Sequence, residues 1–164
     1  MGPRREEGFG EVVWAGDGRR QRLPRATARE EDEFGLEPEH PEYGAYLNWL
    51  HHADATLTFP QTLTMRYYYL EPTPEKQAVG DDYAKWFIAR LRKLDQHLED
   101  HDYLVDGRFT IADIAVGYAL YLARALRLDE RFQPRTRAYL ERLQQRPAFQ
   151  RADAIGEPLV LPPR

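Results

Sequence analysis

Residues 108 to 114 read RFTIADI, a threonine and, three positions on, an aspartate at the head of an apolar run that continues to Leu128. That spacing constrains the chain more than anything else in it. Thr110 can cap the free N–H groups of a first helical turn while the Asp113 carboxylate reaches back to the Thr110 backbone. Phe109 just before the cap and Ile114 four residues inside stand where a hydrophobic staple would pack. The run IADIAVGYALYLARALRL is apolar or small around most of its circumference, which predicts a central helix packed on several sides. Asp113 is therefore assigned to structure rather than to proton transfer.

Other helices are expected around this post. The stretch EHPEYGAYLNWLHHADATLTFPQTLTMRYYYLEP puts Tyr43, Leu47, Leu50 and Leu57 on one stripe. Pro60 inside it removes a backbone donor and crowds the preceding turn, predicting a kink or break near Ala55 to Thr58. A helix from Pro74 carries Val79, Tyr83, Phe87, Leu91, Leu94 and Leu98 at three- and four-residue spacing. Asp106-Gly107 is a turn dipeptide. Pro134 opens a helix with Tyr139, Leu140 and Leu143, and Pro147 opens a short last one anchored by Phe149. The expected fold is all-α, about five helices over residues 34–155. Residues 1–33, dense in Arg, Glu and Gly, cannot bury enough apolar surface to offset their ordering entropy and read as disordered or non-native. Residues 156–164 read as a proline-rich tail.

The net charge of −4 offers no strong basic field, so nucleic acid is not the expected partner. With no cysteine, disulfides, thiolate metal sites and a cysteine nucleophile are excluded. No stretch approaches the roughly 20 apolar residues of a membrane span. No signal-peptide core follows the N-terminal basic residues, so a soluble cytoplasmic setting is expected.

GRFTIADIAVGYALYLARAL followed by YLERLQQRPAFQRA resembles the buried capping-box helix and the closing helix of the C-terminal all-helical domain of glutathione S-transferases. YLNWLHHADATLTFPQ is similar to the helix that opens this domain in bacterial members. The likeness spans about residues 36–155. It implies a helical half that binds a hydrophobic electrophile beside glutathione, whose thiolate does the attacking. In the family a thioredoxin-like domain holds glutathione and the catalytic residue. Thirty-odd residues of charged, glycine-rich sequence are too few for that domain, so no catalytic residue and no bound cofactor are expected on this chain. Glutathione is the expected co-substrate if a thioredoxin-like domain is supplied elsewhere.

By the same resemblance, His51, Thr58, Gln61 and Met65 on the first helix face the co-substrate cleft, with Tyr68 and Tyr118 bordering it. Without the resemblance, His51 reads as an exposed helix residue, and the tyrosines as core or interface packing. His97 and His101 have metal-ligand spacing but no third ligand, so an exposed helix end is favoured over a metal site. The alternative to a transferase half is a non-catalytic interaction module. Expected partners are a second copy, a thioredoxin-like domain or a hydrophobic small molecule.

Overall fold

The computed structural model describes residues 34–156 and residue 161, so the readings of 1–33 and of most of 156–164 lie outside the described residues. Helix α1, Tyr43–His51, runs through a π-helical stretch, His52–Thr58, into α2, Phe59–Met65, and a second π stretch, Arg66–Leu70. Together they form one rod. Then come α3, Pro74–His97; α4, Ile111–Ala125; a 3₁₀ turn, Asp129–Arg131; α5, Pro134–Gln144; and α6, Pro147–Ile155. Counted with the rod as one, these are five helices. Among the described residues there is no strand, only an isolated bridge between Val105 and Arg108.

The kink or break expected near Ala55 to Thr58 takes the form of the π-helical stretch His52–Thr58, and the helix does not end there. Proline has no N–H and its ring collides with the carbonyl four residues back. Here the preceding turns widen instead of ending: the Phe59 N–H reaches the Asp54 carbonyl, five residues back. Thr58 Oγ1 donates to the Ala53 carbonyl at 2.9 Å, occupying another acceptor in the widened turn. The helix therefore continues past the proline.

Its buried stripe is also offset from the expected one. Tyr46, Trp49, Ala53, Leu57, Gln61, Thr64 and Tyr68 are buried, whereas Tyr43, Leu47 and Leu50 are only partly so. On α3 the inward face in the first half is Gly80 and Ala84, while Val79 is 43% exposed. The reason is close packing. A Cβ on Gly80 would lie 2.9 Å from Tyr68 Cε1, so the two helices meet at that glycine.

α4 is the post. Ala112, Asp113, Val116, Ala119, Leu120 and Ala123 are all sealed from solvent. α5 approaches at Gly117, where a Cβ would stand 2.7 Å from Leu143 Cδ1. Before α4 the chain reverses at Asp106-Gly107, whose φ values of 56° and 59° are the left-handed pair of a type I′ turn. Arg108 N–H closes that turn on the Val105 carbonyl at 3.3 Å.

Candidate functional site

The start of α4 is held by one buried carboxylate. Asp113 Oδ2 accepts from the Thr110 N–H at 2.8 Å and the Thr110 hydroxyl at 3.0 Å. The reciprocal contacts of a capping box join the same two residues. Oδ1 accepts from the Leu104 N–H at 3.1 Å and the Tyr139 hydroxyl at 2.8 Å. One side chain thus ties the incoming loop, the first turn of α4 and α5 together. Burial, then the Asp113 charge, pushes the Tyr139 hydroxyl well above the usual tyrosine range, so it stays protonated and donates. Phe109 packs edge-on against Phe34 and Tyr103 and lies 3.5 Å from the Arg146 guanidinium. Ile114 remains 49% exposed. This ring cluster, assembled from distant parts of the chain, holds the helix entrance where the sequence predicts a Phe109–Ile114 staple.

The helix expected to be covered on several sides has one bare edge. Ile111, Ile114 and Tyr118, at successive spacings of three and four, are 39, 49 and 59% exposed. They form an apolar strip along a helix whose opposite face, Ala112, Val116, Ala119 and Ala123, is sealed. The rod is joined to α4 by Gln61 Nε2, which donates to the Ala119 carbonyl at 2.9 Å and to the Leu57 carbonyl at 3.1 Å.

The candidate co-substrate residues divide between surface and interior. His51 is exposed and Thr58 and Met65 are partly buried, whereas Gln61 is completely buried with its amide committed to backbone. Tyr68 is buried too, its hydroxyl donating to Asp81 Oδ1 at 2.5 Å. Tyr118 stands in the open. The side chains of Gln61 and Tyr68 are therefore closed to a ligand. The His97 and His101 rings stack at 4.3 Å and contact the Tyr103 and His97 carbonyls.

Gln61 Oε1 is buried with no hydrogen-bond partner. Gln61→Leu removes two donated bonds, each contributing about 1 kcal/mol, and also removes that orphaned oxygen, a cost of similar size. We expect urea denaturation to place Gln61→Leu within about 1 kcal/mol of wild type. A loss above about 3 kcal/mol would show that the amide is a net anchor.

The Trp49 ring meets both the edge of His52 and a cation. The ring centroids of Trp49 and His52 are 5.6 Å apart, and Lys93 Nζ is 5.5 Å from the Trp49 ring. Burial first, then Lys93 and Arg90, hold the imidazole below its ordinary value of 6.5. A folded-state pKa below the unfolded one means that the unfolded chain gains the proton first as pH falls. Stability should be full above the ordinary value and decline through the window between it and the depressed one. Denaturation between about pH 7.5 and about pH 5 should show a shallower acid decline for His52→Gln than for wild type, and identical slopes would remove His52 as a contributor.

Residues 83–142 match the family model described as the C-terminal domain of glutathione S-transferase. Among solved structures, the glutathione transferase URE2P8 from Phanerochaete chrysosporium, with oxidized glutathione, superposes with a TM-score of 0.64 at 18% identity, covering 80% of this chain and 61% of that one. Gtt2 from Saccharomyces cerevisiae gives a TM-score of 0.57 at 23% identity over 72% of this chain and 59% of that one. A possible glutathione S-transferase from Rhodopseudomonas palustris gives 0.55 at 24% identity, with coverages of 71% and 55%. The chain therefore spans about three fifths of the length of the first of these structures. No curated protein matches by sequence.

Proposed function

We propose, from the premise that the described residues carry a glutathione S-transferase C-terminal domain, that this domain is the electrophile-side half of a glutathione-conjugating enzyme. The observation that carries this reading is the bare Ile111–Ile114–Tyr118 strip on a helix whose opposite face is sealed. An apolar strip of this kind suits a hydrophobic co-substrate or a second domain packed against it. In the reaction the glutathione thiolate attacks an electrophilic carbon, an S–C bond forms, and the leaving group departs with the bonding pair. The activated sulfur is bound by a thioredoxin-like domain supplied beyond the described residues or by another polypeptide. The helical half contributes the walls against which the electrophile is oriented, with Tyr118, Met65 and Thr58 as the residues touching it.

A second reading rests on the same strip. An uncovered apolar edge equally suits a non-catalytic interaction module that pairs with a second copy or another protein. The two separate on one experiment. A thioredoxin-like glutathione-binding domain is fused ahead of Phe34, and conjugation of 1-chloro-2,4-dinitrobenzene is measured for the fusion and for the unfused chain. The transferase reading predicts activity in the fusion alone, with Tyr118→Ala raising KM for the halide. A folded fusion that is retained on glutathione-agarose yet does not conjugate, together with stable oligomers of the unfused chain, would support the interaction module instead.

A further inference from the structure

The bare edge of α4 is bounded at both ends. At its start Phe109, two residues before Ile111, carries Phe34 edge-on at 5.9 Å and the Arg146 guanidinium at 3.5 Å. At its far end Tyr121, three residues beyond Tyr118, meets α6: Phe149 stands edge-on at 5.5 Å and Asp153 accepts from the tyrosine hydroxyl at 2.5 Å. The Arg124 guanidinium lies 5.7 Å from the same ring. What stays open is Ile111 to Tyr118, a stretch of helix about 10 Å long. An apolar run of three or four extended residues has that length.

The chain carries such a run within reach. Thirty-three residues precede Phe34, and among them large apolar side chains are consecutive only at Val12, Val13 and Trp14. Two β-branched residues and an indole favour an extended backbone, in which Val12 and Trp14 point the same way. Phe34 fixes the tether at the Phe109 end of the strip. Trp14 is 20 positions earlier, a reach of about 66 Å at full extension, several times the length of the strip. The charges match as well. Glu11 and Asp17 flank the run, about 20 Å apart when extended. Arg146 and Arg124 flank the strip at Phe109 and Tyr121, about 18 Å apart along α4. Neither arginine enters a salt bridge among the described residues, whereas Arg66, Arg108, Arg135 and Arg142 do.

We infer that residues 11–17 of this chain lie along its own α4 strip, Val12 and Trp14 against Ile111, Ile114 and Tyr118, with Asp17 beside Arg146 and Glu11 beside Arg124. That direction returns the chain to the Phe109 end, where Phe34 lies. The tether of residues 18–33 keeps the run at an effective concentration on the order of 1 mM, so it outcompetes a second copy at micromolar concentration. The contact is a self-cap, which a co-substrate or a second domain has to displace to reach the strip. It rests on the exposure of the strip and on the charges at its ends, and it holds whether or not the domain serves in conjugation.

The sequence has no cysteine, so one introduced pair reports the contact in the full chain. Ala15→Cys is combined either with Ala115→Cys, beside the strip, or with Ala89→Cys, exposed on α3. Under mild oxidation the 15–115 disulfide should close at least about tenfold faster than the 15–89 one, at a rate independent of protein concentration. Val12→Asp with Trp14→Asp should remove that difference. Glu11→Arg and Arg124→Glu should each slow the 15–115 closure about threefold, and the two together should restore it. Melting curves check that each variant is folded. Equal rates for the two pairs, cross-links formed mainly between chains, or a 15–115 closure unchanged by Val12→Asp with Trp14→Asp would each overturn the assignment.

Discussion

Asp113→Ala is expected to remove about 4 kcal/mol of unfolding free energy, the sum of a lost cap and of buried donors left without acceptors. The carboxylate takes four hydrogen bonds while fully sealed from solvent. The Thr110 hydroxyl can rotate toward another acceptor. The Leu104 and Thr110 amides cannot, and the Tyr139 hydroxyl has Asp113 as its acceptor. Alanine leaves all three in a dry interior. Asp113→Asn keeps one oxygen but turns its NH₂ toward two of the former donors, so it should cost about half as much. Urea denaturation and a melting curve measure both. A loss below about 1 kcal/mol for alanine would mean that water or a neighbouring group satisfies these donors and that Asp113 does not organise the helix start.

The second large effect is expected at Phe87, on the face of α3 turned toward the core. Its side chain is completely buried, with its ring centroid 6.3 Å from that of Phe132 in the segment leading into α5. Phe87→Ala should destabilise by about 4 kcal/mol, through lost transfer free energy and the cavity left behind, and Phe87→Leu by about 1 kcal/mol. The denaturant midpoint should move with little change in slope, since the surface exposed on unfolding is nearly unchanged. An alanine variant within about 1 kcal/mol of wild type would indicate that the core collapses around the site.

What was legible in the sequence was local chemistry. Pro74, Pro134 and Pro147 open helices because each sits where a first-turn N–H would be free. Asp106-Gly107 turns the chain because both residues accept a positive φ. Thr110 and Asp113 face each other because three residues of helix place them so. What depends on other elements was not legible. Pro60 has the same local effect whether a helix ends or widens, and packing against α3 and α4 favours the widened turn. Gln61 reads as facing the co-substrate cleft until Tyr46, Trp49, Ala53 and Leu57 are seen to share its buried stripe. The apolar count of α4 could not distinguish a helix covered all round from one with Ile111, Ile114 and Tyr118 bare, because periodicity records residue type and not the presence of a partner.

Both the fold and the proposed function depend on α4 being the interior post, open along one edge only. Amide hydrogen exchange measures this directly. The amides of Val116, Ala119, Leu120 and Ala123, with those of Leu104 and Thr110 bonded to Asp113, should exchange only through global unfolding, at a free energy equal to the denaturation value. Exchange of these amides through low-energy local opening, while α3 stays protected, would contradict the account.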